Sequence, residues 1–311
     1  MFVKVVFFGF LLSSFFKTAE AAVPAVVVST APLHSVVSAV MEGGGRPELL
    51  LPPAVSVHDL HLKPSDFRKL SQADIVFWGG SALEAGLEKA LNAVGKTEQS
   101  VSVLADSRLT VLPAREGGHH HHDQDHDDDD DKTDGHYWLM PENMMAAAEI
   151  AAEKLSAVDP ENATVYKKNA ERVKAEIETL KKNGQKALNP LKGKPYVVFH
   201  DAYQYFEKSF GLTPVGALFV DPHHAAGAGR ISGVREKIRR SGTVCLFSEP
   251  QFSDKKGKAA AEGLSVSFGE LDPSGALLTA GKAFYFELMD NLIRSFANCL
   301  SGLSEKKENI E

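Results

Sequence analysis

Cysteine is almost missing from this 311-residue chain, which carries only Cys245 and Cys299. The pair suggests a disulfide between them; two buried thiols, or one metal ligand each, are the competing readings, and neither cysteine has a second one nearby. Long apolar runs are also lacking. The longest, Val5 to Phe16, is twelve residues, and a bilayer-spanning helix needs about 20. No His-Glu-x-x-His motif occurs, so the helix on which many zinc hydrolases carry their general base is absent. Surplus positive charge is lacking too, since Lys and Arg number 34 against 41 Asp and Glu. Such a balance argues against nucleic acid and against an anionic membrane surface as partner.

What is present in excess is concentrated in Gly117 to Trp138, GGHHHHDQDHDDDDDKTDGHYW. It holds six of the twelve histidines: His119, His120, His121, His122, His126 and His136. Eight aspartates and one cation, Lys132, give it a charge of minus seven, equal to the net charge of the whole chain, so the remainder is balanced. Imidazole and carboxylate side by side bind divalent transition metals, and a Gly- and Asp-rich run cannot bury apolar surface. The expectation is a solvated, disordered metal-collecting loop over 117–135. HHHH and DDDDK each resemble an engineered tag. The internal position, the break at Gln124 and an export signal upstream favour a native loop. A solvated acidic linker with incidental histidines is the blander reading.

The N-terminus reads as that signal, residues 1–21. Lys4 precedes the apolar run, and Ala19-Glu20-Ala21 offers small residues at the cleavage site. It contains no cysteine, so a lipid anchor is not expected, and the mature chain is expected to be freely diffusing. About 290 residues then remain, enough for two domains of ordinary size.

Short apolar runs alternate with helical patterns along the chain. Strands are expected at 25–29, 48–51, 75–79 and 101–104, with helices at 33–41, 64–73 and 83–93 between them. Alternation of this kind implies a largely parallel sheet flanked by helices. Helical patterns follow from Pro141 to Leu155. Ala163, Tyr166, Ala170, Val173, Ile177 and Leu180 then recur at steps of three and four, with Asn183-Gly184 as the expected stop. Strands resume at 196–199, 215–220, 244–247 and 264–268. Helices are expected at 201–210, 231–240, 254–262 and 279–300. The fold class is therefore α/β: an N-terminal lobe over 22–140, a linker helix region over 141–190, a C-terminal lobe over 191–303 and a tail over 304–311.

In open α/β sheets, ligands sit beyond the carboxyl ends of strands. His200 lies at the end of YVVF, His136 at the exit of the His/Asp loop, and His58 between the second strand and the helix opened by Pro64. Asp272 lies in the turn Gly-Glu-Leu-Asp-Pro. Three imidazoles and one carboxylate at strand and loop ends are a competent zinc set. Each histidine alone has an ordinary reading as a loop or cap residue.

VHDLHLKPSD, GHYWLMPENM, VFHDAYQYFEKSFGLTPVG, CLFSEPQF and GELDPSG, in that order, resemble the metal-binding solute receptors of bacterial ABC importers. The likeness is strongest to their zinc branch, the ZnuA-like zinc-uptake periplasmic receptors. It implies two α/β lobes bridged by a rigid helix, with one Zn²⁺ as transported ligand in the inter-lobe cleft. It also implies His58, His136 and His200 as ligands, with Asp272 or water fourth. Manganese-binding relatives carry a carboxylate where His200 stands, and imidazole suits zinc better. The zinc branch also resembles this chain in its His/Asp-rich loop, with His119–His122 and His126 as accessory metal sites, and in its cysteine pair. Departures are Val57 before His58, the extra His61, and His223-His224, for which the resemblance implies no role.

The resulting expectation is a monomeric periplasmic receptor, not an enzyme. It would pass zinc to an inner-membrane ABC permease with its cytoplasmic ATPase and would not insert in the membrane after signal cleavage. Neutral imidazoles bind the metal, so affinity falls as pH drops through their pKa range. Three alternatives stand beside it. One is a metal buffer or adhesin acting through the loop, and another a manganese or iron receptor of the same family. The third is a zinc hydrolase with three histidines and water, for which Glu207 or Glu249 would be the general base.

Overall fold

The computed structural model describes residues 23–55, 60–115, 133–219, 228–252, 258–259 and 261–303. The expected export signal, His58, the loop histidines His119–His122 and His126, His223 and His224, and the tail lie outside these residues. So does most of the expected helix 254–262.

Val, Ile, Phe and Tyr dominate the short strands, and their alternation assigns each sheet two apolar faces. In the N-terminal half β1 (Val26–Val28), β2 (Glu48–Leu49), β3 (Ile75–Trp78) and β4 (Ser100–Ser102) form a parallel sheet in the order β2-β1-β3-β4. The C-terminal half repeats the pattern. There β5 (Tyr196–His200), β6 (Gly216–Phe219), β7 (Cys245–Ser248) and β8 (Ser267–Glu270) run parallel in the order β6-β5-β7-β8.

Helices fill the faces. In the N-terminal half these are α1 (Ala31–Val40), α2 (Pro64–Gln72) and α3 (Ser81–Ala93); α4 (Pro141–Val158) and α5 (Ala163–Leu188) follow, then α6 (Gln204–Phe210), α7 (Ala228–Ser241) and α8 (Phe284–Leu300). The period of two in the strands sorts them. Val27, Val76 and Trp78 join Leu70, Leu87 and Leu91 of α2 and α3 in an outer cluster. Val197, Phe199 and Leu246 do the same with Val234 and Ile238 of α7. The alternate residues, Val26, Val28, Phe77, Tyr196, Val198 and Phe247, face inward. They share one continuous core with α1, α4, α5 and α8. The central helices thus serve both sheets at once. Among the described residues no helix is long and apolar enough to cross a membrane.

Most elements lie close to where the patterns set them, with ends that shift by a few residues. The long helix does not stop at Asn183-Gly184 but continues to Leu188, making α5 26 residues. Gly184 is a packing residue: a Cβ there would lie 2.6 Å from Phe210 and 2.7 Å from Ile293. β8 begins at Ser267, not Leu264, because as the edge strand it takes its register from Cys245 opposite Ser267. The last helix begins at Phe284, behind Gly281 at φ +152°. The helix expected from Asp201 begins at Gln204.

Cys245, at the start of β7, and Cys299, in the last turn of α8, form a disulfide with Cα atoms 5.9 Å apart. It ties the terminal helix to the C-terminal sheet. On the chain-entropy model, closing 54 residues stabilises the fold by about 4 kcal/mol. The double variant Cys245→Ala/Cys299→Ala is expected to lose about 3–4 kcal/mol in urea unfolding. Gly184→Ala is expected to cost about 1–3 kcal/mol by overpacking against Phe210 and Ile293, read from the same unfolding curves.

Candidate metal centre

His200 is the last residue of β5, not the residue after it, and pairs across the sheet with Phe219. It is buried there, 5% exposed. It stands where the strand order reverses between β5 and β7, the crevice at which parallel α/β sheets bind ligands. Its Nδ1 lies 2.7 Å from Glu249 Oε1, just past the end of β7, and the hydroxyl of Tyr203 donates to the same oxygen at 2.9 Å. Burial pushes the His200 pKa down, but the Glu249 carboxylate outweighs it through charge and hydrogen bond, and the net shift is upward.

His136 arrives from the other half. Two short stems lead to and from residues 116–132: Pro113 and Thr133 form an antiparallel bridge, and the Asp134 N–H donates to Leu112 O at 2.9 Å. Asn143, in the first turn of α4, ties both stems down. It accepts from Thr110 N at 2.8 Å and donates to Thr110 O at 2.9 Å and Tyr137 O at 3.2 Å. His136 then caps a 3₁₀ turn, Tyr137–Leu139, that runs into α4 through Pro141. Its Nδ1 is 2.8 Å from Asp134 Oδ1, which also accepts its backbone N–H at 3.0 Å. Burial favours the neutral Asp134 carboxyl, yet the hydrogen bond and charge of His136 prevail and hold its pKa below the usual range.

The structure brings these two imidazoles together. Their ring centroids are 5.4 Å apart with planes inclined at 58°, and each is backed by a buried carboxylate. Trp138 packs on His136 at 5.4 Å and donates its indole N–H to Pro273 O at 2.8 Å, drawing the turn after β8 against the same segment. Asp272, in that turn, is half-buried. Its Oδ1 accepts from Gln251 Nε2 at 2.6 Å, Ser274 Oγ at 3.2 Å, Ser274 N at 3.2 Å and Gly275 N at 2.8 Å. Among the described residues no group of three His, Cys, Asp or Glu side chains is arranged to hold a metal. His61 is exposed. The expected third imidazole, His58, lies outside the described residues.

The residues that the spacing did not single out are the carboxylates behind the rings. Asp134 stands two residues before His136, and Glu249 follows Ser248, the last residue of β7. Tyr203, three residues past His200, was equally unmarked. A carboxylate at a neighbouring strand end was the available signal for Glu249. Glu207, the other acid considered as a base, is buried under Arg115 and accepts from Tyr196 at 3.0 Å; burial pushes its pKa up to about 7 against the pull of Arg115.

Helix α3 of the N-terminal half carries a further buried carboxyl at the strand ends. Glu84, 1% exposed, accepts from Gly79 N at 2.6 Å and Ser29 Oγ at 3.1 Å, joining the ends of β3 and β1 beside Tyr137. Burial raises its pKa to about 7.

Two parallel α/β halves sharing a helical core, with a buried imidazole from each brought together, have the architecture of a two-lobed solute-binding protein. The family model for the periplasmic component A of zinc-uptake complexes matches residues 26–299, and the chain belongs to that family of solute-binding receptors. A high-affinity zinc uptake system protein ZnuA from Brucella suis is 39% identical over 305 residues, spanning 89% of this chain and 91% of its own. Its counterpart from Yersinia pestis is 35% identical over 303 residues, spanning 93% and 94%. The solved structure of the periplasmic zinc-binding protein TroA from Treponema pallidum has a TM-score of 0.75 at 19% identity, covering 90% of this chain and 99% of that one. At that identity the likeness bears on the fold alone.

Glu84 makes stability pH-dependent with a definite sign. Its folded pKa lies above the unfolded value near 4.5, so its contribution is full below that value and is lost as pH rises toward about 7. Glu84→Gln is therefore expected to match the parent in stability at acid pH and to exceed it by about 3 kcal/mol at pH 8. Urea unfolding across the pH range measures this difference.

Proposed function

We propose that this chain captures Zn²⁺ in the periplasm and hands it to an ABC permease, with His136 and His200 as two ligands of one tight site. One observation carries the reading: the 5.4 Å spacing of two carboxylate-backed imidazoles contributed by different lobes. A tetrahedral zinc with Zn–N bonds of about 2.0–2.1 Å sets two imidazole centroids about 5 Å apart. A carboxylate on Nδ1 fixes the ring and its tautomer, raises its basicity and assigns ligation to Nε2. His58 would be the third ligand and Asp272 or water the fourth. The division into lobes over 22–140 and 191–303 with a linker over 141–190 belongs to the same proposal.

The two relatives named for high-affinity zinc uptake support zinc over manganese or iron, and so does a donor set of imidazoles. A hydrolase is disfavoured by Glu249, whose Oε1 is bound by His200 and Tyr203, and by Glu207, which is held by Arg115 and Tyr196. His119, His120, His121, His122 and His126 would collect zinc weakly and raise its concentration near the cleft.

Calorimetric titration of chelator-stripped protein, with and without residues 117–132, tests the assignment. One tight zinc site is expected in both forms. It should weaken at least a hundredfold in His136→Ala and in His200→Ala, since each loses a direct ligand. Loss of tight binding on removal of 117–132, with both histidine variants unimpaired, would transfer the function to the loop and sink the receptor reading.

A further inference from the structure

The two imidazoles belong to different lobes, so something must hold their separation. Outside the metal site itself, one short helix contacts both stems of the segment that carries His136. α6 follows His200 directly in sequence, starting four residues later. Tyr205, fully buried, accepts from the Leu112 N–H at 2.9 Å and donates to Asp134 O at 2.9 Å. One hydroxyl therefore joins the entering and the leaving stem. Gln204 donates to Pro113 O at 2.8 Å and to Asp134 Oδ2 at 3.2 Å. That second bond reaches the oxygen of Asp134 that His136 does not use. Arg115 closes the set from the stem side, pairing with Asp201 at 2.6 Å and with Glu207 of α6. A further bond, Ser209 Oγ to Glu142 Oε2 at 2.6 Å, fixes the far end of α6 to α4.

The links run in one line: His136 Nδ1 to Asp134, Asp134 to Gln204 and Tyr205, and the α6 backbone back to His200. Every bond in it crosses between lobes or lies next to a ring. A stem pair that only needed closing has its own bridge at Pro113 and Thr133 and its own clasp in Asn143. The bonds from α6 add something different. They fix the stems, and with them the carboxylate that orients His136, to the element that starts at His200.

We infer that Gln204 and Tyr205 are positioning residues for metal capture. They set the separation and orientation of the His136 and His200 rings before the ion arrives, which removes an ordering cost from binding. This rests on the reading of His136 and His200 as ligands. Neither residue touches the metal; each acts through Asp134.

The test compares Tyr205→Phe, Gln204→Ala and Tyr166→Phe in the full mature chain. Tyr166 is the control, a buried tyrosine whose hydroxyl bonds Asp159 at 2.6 Å away from the site. Zinc affinity is measured by competition with a chelator tight enough to silence weak sites, alongside the melting temperature of the metal-free protein. The visible absorption with one equivalent of cobalt(II) reports ligand geometry, which a loss of stability alone does not change. Tyr205→Phe and Gln204→Ala are each expected to weaken zinc binding about tenfold or more, the range for partners behind a ligand, and to alter the cobalt spectrum. Tyr166→Phe should keep parental affinity and spectrum. If the two α6 variants keep parental affinity and spectrum, the positioning role is overturned. The same follows if their affinities fall only as far as that of Tyr166→Phe. Failure of the underlying reading looks different: His136→Ala would then bind zinc as the parent does.

Discussion

The structure depends on one apolar layer that two sheets share. Inward residues of β1, β3, β5 and β7 pack on the same four helices, so neither sheet has a complete core without the other. Burying a large apolar side chain stabilises by about 1.5–3 kcal/mol. Separating the lobes would expose Phe284, Tyr285, Leu288 and Phe296 of α8 together with Leu33, Val36 and Val37 of α1. Polar ties add direction more than strength. Ser35 Oγ donates to Lys282 O at 2.9 Å and accepts from Tyr285 N at 3.1 Å, locking α1 to the start of α8. The Glu42 pairs with Arg172 and Lys282 lie on the surface and contribute little. A shared core of this kind resists wide lobe opening, so ring spacing at the cleft is set by packing and can be refined by a few hydrogen bonds.

Charge is organised around that cleft in matched pairs. Each buried imidazole has a carboxylate on Nδ1, and each carboxylate is held by a second group, Gln204 for Asp134 and Tyr203 for Glu249. A buried carboxylate without a partner would be expensive. With a partner it orients the ring, and its negative charge favours a cation nearby. The same residues that make the site affordable in the folded protein make it receptive to a divalent ion.

Much of this was legible in the chain. The spacing of AVVVS, IVFW, YVVF and VCLF assigned the strands, because a parallel strand buried on both faces reads as a continuous apolar run. The stripe from Tyr166 to Leu180 assigned the long helix α5. Its end was misread at Gly184, because a glycine that stops a helix and one that admits two aromatic or aliphatic neighbours look alike in sequence. His136 and His200 stood out by position after a loop and at a strand end. Their partners did not, since Asp134 is one of eight aspartates in its run and Glu249 one acid among many. Pairings across lobes, such as Tyr205 with Leu112 and Asp134, have no local pattern at all. They arise from topology and became visible only with the stems and α6 in contact.

The two sheets have the same strand order, so each lobe has an equivalent crevice where that order reverses. In the C-terminal lobe the crevice between β5 and β7 presents His200, with Glu249 behind it. In the N-terminal lobe the matching position between β1 and β3 is spanned by the protonatable Glu84, which fastens Ser29 to Gly79. A molecule with twofold repetition could have offered two mouths. Bridging one mouth with a carboxyl and setting an imidazole at the other leaves the repeated fold lopsided in its chemistry.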